Sequence, residues 1–356
     1  MSAAKEQNDL TDFASHKQMI KLQKEQNNIT ISDVADALGV SKTTVSRAIS
    51  GKGRIGEGTR QRVFEYISEK QYSPNVMAKG LAKSKTYNIG WVMPGDSGIS
   101  ELPFFQRCML GISEITAEKD YDILISMVFE HDISQLKRVV KNRKIDGIIL
   151  GQALMKDDRI SFLKESGMPF VVIGSVPDED VIQIDNDHIG ACRELTSLLA
   201  AKGIKNFGLI GGDENHVVNQ ARRTGFEMGL EEQGIKVNGD MIYMNCGDEK
   251  ATGDVLESCL QNGVECIVCM DDKICHNVLN EIHHAGLDIP KDIQVASFYH
   301  SMALEQHRPG ITSLRFDPKE LGTVAGRTLF DYIEGKEVPR KMNLAYEVLF
   351  RGSTSI

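Results

Sequence analysis

The chain has 356 residues, enough for two or three folded units, and 41% of them are hydrophobic, as is typical of a soluble globular protein. The formal net charge of −9 is unevenly divided: residues 1–85 contain 14 Lys and Arg against 9 Asp and Glu, whereas residues 86–356 contain 27 against 41. No stretch approaches the roughly 20 apolar residues of a membrane-spanning helix, and the N-terminus has no apolar secretory core. These features argue against a membrane protein and predict a cytoplasmic protein whose basic end contacts nucleic acid.

The cysteines predict reduced, buried thiols. There are seven, an odd number in a chain without an export signal, which argues against a disulfide framework. Cys266 and Cys269 form a CxxC motif, but the motif lies in an apolar run and no second pair completes a zinc set. We therefore expect structural burial here, and neither a metal nor a cofactor in the protein. Residues 1–28 are polar and predict a disordered extension.

A helix-turn-helix is predicted at residues 32–50, inside a DNA-binding domain at 29–74. Apolar residues recur at helical spacing on both sides of Gly39. Gly39 can adopt a left-handed conformation at a helix end, and the Ser41 side chain can cap the helix that follows. A third helix from Thr59 to about Gln71 should cover this corner with Val63, Phe64 and Ile67.

The second helix carries donor side chains on its outer face. Away from the apolar positions lie Lys42, Thr43, Ser46 and Arg47. Such a face suits base edges and phosphates in the major groove, although a solvated helical corner would share the same spacing. The basic balance of residues 1–85 favours the DNA-binding interpretation.

From Tyr87 onward, apolar strands alternate with amphipathic helices. This pattern predicts an α/β domain with two parallel sheets that helices cover on both faces. No glycine-rich phosphate loop, HExxH motif or Ser/His/Asp arrangement is found. We therefore expect no enzyme. The alternatives left open are a cytoplasmic α/β enzyme and a small-ligand-binding protein without a DNA function.

Three motifs together resemble the LacI/GalR family of bacterial transcription regulators. They are DVADALGVSKTTVSRAIS (33–50), YSPNVMAKGLAKSKT (72–86) and NIGWVMP (88–94), and the resemblance continues to Arg351. It implies an N-terminal helix-turn-helix three-helix headpiece and a hinge helix and linker at 75–86. It also implies a two-lobed periplasmic-binding-protein-like effector and dimerisation domain at 87–356. In this division lobe one comprises about 87–184 and 315–335, and lobe two about 185–312 and 340–351.

The same resemblance implies a homodimeric regulator of double-stranded operator DNA. In the headpiece, Lys42, Thr43 and Arg47 would enter the major groove, and Ser41, Thr44 and Ser46 would lie near phosphates. The hinge helix begins near Asn75, and Leu81, followed by Ala82, stands where the family inserts a leucine into the minor groove. We expect repression rather than activation, because blocking a promoter needs only occupancy.

A small-molecule effector, a carbohydrate or a derivative of one, is expected between the lobes, beyond the carboxyl ends of the strands. The candidate effector residues are Phe104, Phe105, Gln152, Arg222, Asp248, Asp271, Phe298 and Tyr299. By resemblance, Arg222 matches an arginine that contacts effector hydroxyls or carboxylates, and Asp271 matches another ligand-reaching position.

The sequence departs from the sugar-binding members of the family at several of these positions. Tyr299 stands where those members commonly carry a carboxylate, Gly174 where some carry Asp, and Asp248 replaces a frequent stacking aromatic residue. A plain hexose is therefore less well supported as the effector. His188, His300 and His307 are expected to be hydrogen-bonded polar residues rather than metal ligands.

Overall fold

The computed structural model describes residues 29–51, 53–70, 72, 80, 84–95, 102–129, 132–247 and 249–355. Its contacts divide the chain into two units, of which the first ends at Lys85 and the second begins at Thr86. The predicted extension at 1–28 and most of the predicted hinge, including Asn75, Leu81 and Ala82, lie outside the described residues. None of the described helices has the length and apolar character that a membrane span requires.

Within residues 29–70 as far as the structure describes them, the first unit has three short helices, α1 (Ile31–Leu38), α2 (Lys42–Ser50) and α3 (Glu57–Glu69). Thr30 starts α1 with a capping box, in which its own N–H donates to Asp33 Oδ2 at 2.7 Å. Gly39 ends α1 at a φ of 64°, a left-handed conformation that costs glycine little. Ser41 Oγ then accepts from the Thr44 N–H at 3.1 Å and caps α2. The predicted helix-turn-helix is confirmed.

The three helices share one small core. Its fully buried side chains are Val34, Ala35, Val45, Ala48 and Val63. Ile67 and Tyr66 pack against this core from α3, whereas Phe64 is 45% exposed, so its predicted place in the core is wrong. The reason is helical geometry: a buried Val63 places its neighbour about 100° around the helix, toward solvent.

The second unit is built on two six-stranded sheets. The sheet of lobe one has the order β11-β5-β4-β3-β1-β2, and all its strand pairs are parallel. Its strands are β1 (Asn88–Pro94), β2 (Asp122–Val128), β3 (Gly147–Leu150), β4 (Phe170–Ile173), β5 (Gln183–Asn186) and β11 (Lys341–Leu344). Helices α4 (Leu102–Glu118), α5 (Ser134–Lys141), α6 (Asp158–Ser166) and α12 (Pro318–Ile333) accompany them.

The sheet of lobe two repeats the arrangement in the order β12-β10-β9-β8-β6-β7, with β12 antiparallel to β10. Its strands are β6 (Phe207–Ile210), β7 (Ile242–Tyr243), β8 (Cys266–Cys269), β9 (Gln294–Ser297), β10 (Thr312–Arg315) and β12 (Glu347–Leu349). The helices are α7 (His188–Ala201), α8 (Val217–Glu232), α9 (Glu249–Gln261), α10 (Asp272–His284) and α11 (Met302–Gln306). Apolar clusters lie on both faces of each sheet, as the continuous apolar strands predict.

The chain crosses between the lobes three times, and the third crossing corrects the predicted lobe boundaries. The assignment of the whole segment 340–351 to lobe two is wrong, because Lys341–Leu344 pairs with β5 in lobe one. The chain joins lobe two from Glu347 onward: Glu347–Leu349 pairs with β10, and the Arg351 N–H donates to Thr312 Oγ1 at 2.9 Å. Both strands are short edge strands with alternating exposure, so the apolar pattern did not separate them. The first crossing follows β5 of lobe one, after residue 186, and the second follows β10 of lobe two, after residue 315.

The seven cysteines are all free and buried, and Cys266 and Cys269 lie in the central strand β8. Burial raises the pKa of the Cys266 thiol above its ordinary value, because the thiolate would lose its hydration. The predicted structural burial of the CxxC motif is confirmed.

Candidate functional site

The outer face of α2 presents its donors to solvent. Lys42, Thr43, Ser46 and Arg47 are exposed, while Val45 and Ala48 on the opposite face are buried. Arg47 is also positioned by the following turn, since a Cβ on Gly53 would lie only 3.2 Å from Arg47 Cδ. The face therefore combines a positive charge with hydroxyl and guanidinium donors, as contacts with DNA require.

Ser41 and Thr44 have a structural task as well. The two hydroxyl oxygens are 2.8 Å apart, and Ser41 Oγ also accepts from the Thr44 N–H. Both side chains are therefore fixed at the N-terminus of α2, where the helix dipole favours an anion. This geometry is compatible with the predicted phosphate contacts.

The effector candidates meet at the carboxyl ends of the strands, between the lobes. The Phe104 ring from lobe one and the Tyr299 ring from lobe two are 6.5 Å apart in an edge-to-face arrangement. Arg222 from α8 places its guanidinium carbon 6.0 Å from the centre of the Tyr299 ring. Three of the predicted residues, from two lobes, thus lie together where the lobes meet, and we call this place the cleft.

Arg222 is the chemically most informative residue of this cleft. It is 7% exposed, and its Nε has no hydrogen-bond partner among the described residues. A buried donor left without a partner costs about 1–3 kcal/mol, so the site is suited to an incoming oxygen acceptor. The neighbouring Asp272 was not predicted from the sequence. Burial raises the pKa of its carboxyl group and nearby Asp271 raises it further, while Arg222 acts in the opposite direction.

Asp271 has two roles available to it. Its Oδ1 accepts from the Ile274 N–H at 2.8 Å and caps α10. The side chain remains partly exposed, so its other oxygen can face the cleft. The structure shows that Asp271 caps α10, and its predicted contact with the effector stays a prediction.

Gln152 joins the lobes directly. Its Nε2 lies 3.2 Å from His216 Nε2, across the cleft. Because an amide nitrogen only donates, His216 accepts at Nε2 and carries its proton on Nδ1 in this arrangement. Next to it, the Met155 N–H donates to the Asn215 carbonyl oxygen at 3.0 Å. We refer to these two contacts as the interlobe latch. His216 was not predicted from the sequence, because only the fold brings it opposite Gln152.

Two predicted effector residues are core residues instead. Phe298 is fully buried and packs against Phe226 at 6.5 Å, and Phe105 is 4% exposed and packs against Trp91. Neither ring reaches the cleft surface, so both assignments are corrected. In each case the adjacent residue, Tyr299 or Phe104, takes the cleft position, because successive residues point in different directions. Asp248 lies outside the described residues.

The histidines have local partners. His300 lies 3.3 Å from both Ser313 Oγ and Glu305 Oε2, and His307 Nδ1 lies 2.8 Å from the Pro309 carbonyl oxygen. His188 Nε2 lies 3.5 Å from Asp185, whereas its buried Nδ1 has no hydrogen-bond partner in the part of the chain that the structure describes. Within the described ranges, no three His, Cys, Asp or Glu side chains are arranged to hold a metal ion.

Two family models match separate regions of the chain, one near the start and one over its second half. Residues 30–75 match the model described as bacterial regulatory proteins of the lacI family, and residues 196–354 match the periplasmic binding protein-like domain. The first match covers the headpiece and the second covers most of lobe two and the last crossings.

Two relatives match this chain over almost their whole length. Catabolite control protein A of Staphylococcus epidermidis is 27% identical over 332 residues, which are 92% of this chain and 99% of that protein. The HTH-type transcriptional regulator RegA of Clostridium saccharobutylicum is 27% identical over 333 residues, 91% of this chain and 99% of that protein.

Solved structures agree in fold. A probable maltose operon transcriptional repressor, malR, from Staphylococcus aureus is 25% identical with a TM-score of 0.70, covering 76% of this chain and 98% of its own. The lac repressor dimer bound to operator, 21% identical, shares the fold with a TM-score of 0.78 over 92% of this chain and 99% of its own. The headpiece, the two-lobed body and these likenesses together place the chain in the LacI/GalR family of bacterial transcription regulators.

Proposed function

We propose that this protein represses transcription by binding an operator as a homodimer, and that a small molecule in the interlobe cleft controls its affinity for DNA. The observation that carries the proposal is that one chain combines an exposed donor face on α2 with a cleft in which the buried Nε of Arg222 has no hydrogen-bond partner among the described residues. Its relatives bear the names of regulators, and we propose no catalytic reaction. A regulator acts where the DNA is, so we place it in the cytoplasm.

The effector we propose is a carbohydrate or a derivative of one. The cleft offers a guanidinium donor at Arg222, carboxylate acceptors at Asp271 and Asp272, and aromatic faces at Phe104 and Tyr299. Alternating donors, acceptors and ring faces suit a polyhydroxylated ring. A relative of this fold was solved as a complex of the regulator CelR with cellobiose, which supports this class of ligand.

The homodimer we propose uses the edge of lobe one. Strand β2 is the edge strand of its sheet, and its outward side chains Ile125 and Met127 are 45% and 38% exposed, while Phe129, directly after the strand, is 54% exposed. On the adjacent helix α4, Leu110 is 56% exposed. A contiguous apolar patch beside an unpaired strand edge is typical of a protein interface, and a second copy would cover both.

A movement of the lobes would be transmitted to the DNA-binding domain through Thr86 and Tyr87, at the start of the second unit. Thr86 donates from its N–H and its hydroxyl to Asp146 Oδ1 at 2.8 and 2.9 Å, and the Tyr87 N–H donates to Oδ2 at 3.1 Å. The chain is therefore anchored to lobe one where it leaves the hinge. In a dimer, a change in the angle between the lobes would alter the distance between the two anchors. The effector can change DNA affinity only to the extent that it binds one lobe arrangement more tightly than the other.

The proposal is tested in two steps with the full-length protein. Affinity for duplex DNA is measured by fluorescence anisotropy at several salt concentrations. A plot of the logarithm of the association constant against the logarithm of the salt concentration should have a slope of several negative units, since each phosphate contact contributes about −0.9. A thermal-shift panel of sugars, sugar acids, sugar phosphates and nucleosides should then raise the Tm for one class.

Arg222→Ala should abolish that thermal shift and keep DNA binding. Arg223→Ala is the matched control, because the Arg223 side chain is 40% exposed and pairs with Glu227 of the same helix at 2.8 Å. If the ligand raised the Tm of Arg222→Ala as much as that of the wild-type protein, Arg222 would not belong to the effector site. DNA binding that did not depend on salt would contradict the proposed role as a DNA-binding regulator.

A further inference from the structure

Each of the three crossovers between the lobes contributes one ring to a common cluster. His188 begins α7 directly after the first crossing, Phe316 lies in the second, and Tyr346 lies in the third. The His188 and Phe316 rings are 4.8 Å apart, and the Phe316 and Tyr346 rings are 6.4 Å apart. These separations are within the range at which aromatic rings attract one another. Phe316 is therefore in contact with both other crossovers.

The Phe316 ring also contacts Tyr299, a residue of the cleft. Tyr299 stacks on Phe316 with ring centres 6.3 Å apart and an interplanar angle of 22°. Tyr299 in turn meets the Phe104 ring of lobe one and the Arg222 guanidinium of lobe two. A displacement of Tyr299 is thus passed to Phe316 by direct contact. Phe316 itself is 8% exposed, so it has little room to move independently of its neighbours.

The outer members of the cluster are held by hydrogen bonds. Tyr346 Oη donates to Glu194 Oε2 on α7 at 2.6 Å. His188 Nε2 lies 3.5 Å from Asp185, whose other oxygen accepts from Ser175 Oγ at 2.8 Å. Ser175 follows a strand of lobe one, whereas Glu194 belongs to a helix of lobe two. The cluster is therefore anchored in both lobes.

We propose that Phe316 is the positioning residue of the lobe hinge: it sets the angle between the lobes and transmits a displacement of Tyr299 to all three crossovers. Packed rings have a few discrete arrangements rather than a continuous range, so a small shift at the cleft becomes a rotation of one lobe. The consequence for DNA binding rests on the proposed function. The hinge role does not, and it can be tested without DNA or effector.

The test measures the interlobe distance directly in the full-length protein. Nitroxide labels are attached to Lys141→Cys on α5 and Glu231→Cys on α8, which are exposed positions on lobe one and lobe two. The seven native cysteines are buried, so labelling is selective. Double electron–electron resonance then gives the distance distribution. Phe316→Leu keeps an apolar side chain but removes the ring, and we expect the distribution to shift or to become about twofold wider, as hinge release predicts.

Phe226→Leu is the matched control. Phe226 is buried and packs against Phe207 and Phe298 inside lobe two, so its loss creates a comparable cavity away from the crossovers. It should leave the interlobe distance unchanged. A wild-type distribution in Phe316→Leu, or equal broadening in both variants, would overturn the proposal. If Phe316→Leu does not fold, the half-buried Tyr346→Leu decides with the same readout: broadening supports the hinge role and an unchanged distribution refutes it.

Discussion

Arg47 is the residue on which sequence preference should depend most. It is exposed on α2, and its aliphatic stem lies against Gly53, which limits the directions the guanidinium can take. A bidentate guanidinium contact with guanine discriminates against other bases by about 1–3 kcal/mol.

We expect Arg47→Ala to relax base preference at one position of each half-site and to lower specific affinity by roughly tenfold or more. Anisotropy titrations against a set of single-base variants of the bound site measure this. Arg54→Ala, an exposed arginine in the following turn, should instead lower the affinity evenly across the set. If Arg47→Ala lowered the affinity equally for all the single-base variants, Arg47 would contact a phosphate rather than a base.

Asp272 predicts a pH-dependent stability. Burial raises the pKa of its carboxyl group, so the folded protein holds that proton more tightly than the unfolded chain does. The contribution of Asp272 is therefore favourable at low pH and is lost as the pH rises through the raised pKa. Asp272→Asn should raise the Tm at pH values above the raised pKa of Asp272, and the gain should shrink as the pH falls through that pKa toward the ordinary Asp value.

The exposed Asp254→Asn on the neighbouring helix serves as the reference for this comparison. Its effect on stability should stay within about 0.5 kcal/mol at every pH, because surface substitutions away from specific contacts rarely do more. A stabilisation by Asp272→Asn that did not vary with pH would show that the carboxylate charge is not its cause.

At the scale of secondary-structure elements, the interlobe latch joins the segment that follows β3 to the loop between β6 and α8. Gln152 and His216 contribute one side-chain contact, and the Met155 and Asn215 backbones contribute a second. A double-mutant cycle with Gln152→Ala and His216→Ala should give a coupling of about 0.5–1.5 kcal/mol in urea unfolding. Additive effects would mean that the two side chains do not act together in solution.

The sequence allowed the elements to be predicted where local chemistry determines them. Gly39 and Ser41 specify the corner between α1 and α2, and near-continuous apolar runs specify the central strands. The crossing between Leu344 and Glu347 could not be read in this way, because short edge strands with alternating exposure suit either sheet. The cleft residues were predictable to within one position: Phe104 and Tyr299 face the cleft, whereas Phe105 and Phe298 are buried. His216 and Phe316 gain their roles only from the fold.

At the scale of the whole molecule, the exposed face of β2 predicts the assembly. Met127→Asp places a charge in the middle of the apolar patch, and burying it in an interface would cost more than the lost contact alone. We expect this variant to sediment as a monomer at concentrations where the wild-type protein is a dimer. Tyr332→Asp is the control, since Tyr332 is 38% exposed on the same lobe and lies beside Phe170 of β4, three strands away from β2 in the sheet. A dimeric Met127→Asp variant would place the interface elsewhere.

The dimer, the headpiece and the cleft together make one regulator, and its DNA sequence preference tests this most directly. The full-length protein is used to select bound duplexes from a randomised pool, and the enriched sequences are determined. A two-fold symmetric site with half-sites about one helical turn apart is the predicted result, because two identical headpieces read the two halves. Enrichment of no sequence, or of an asymmetric site without a second half, would contradict the account.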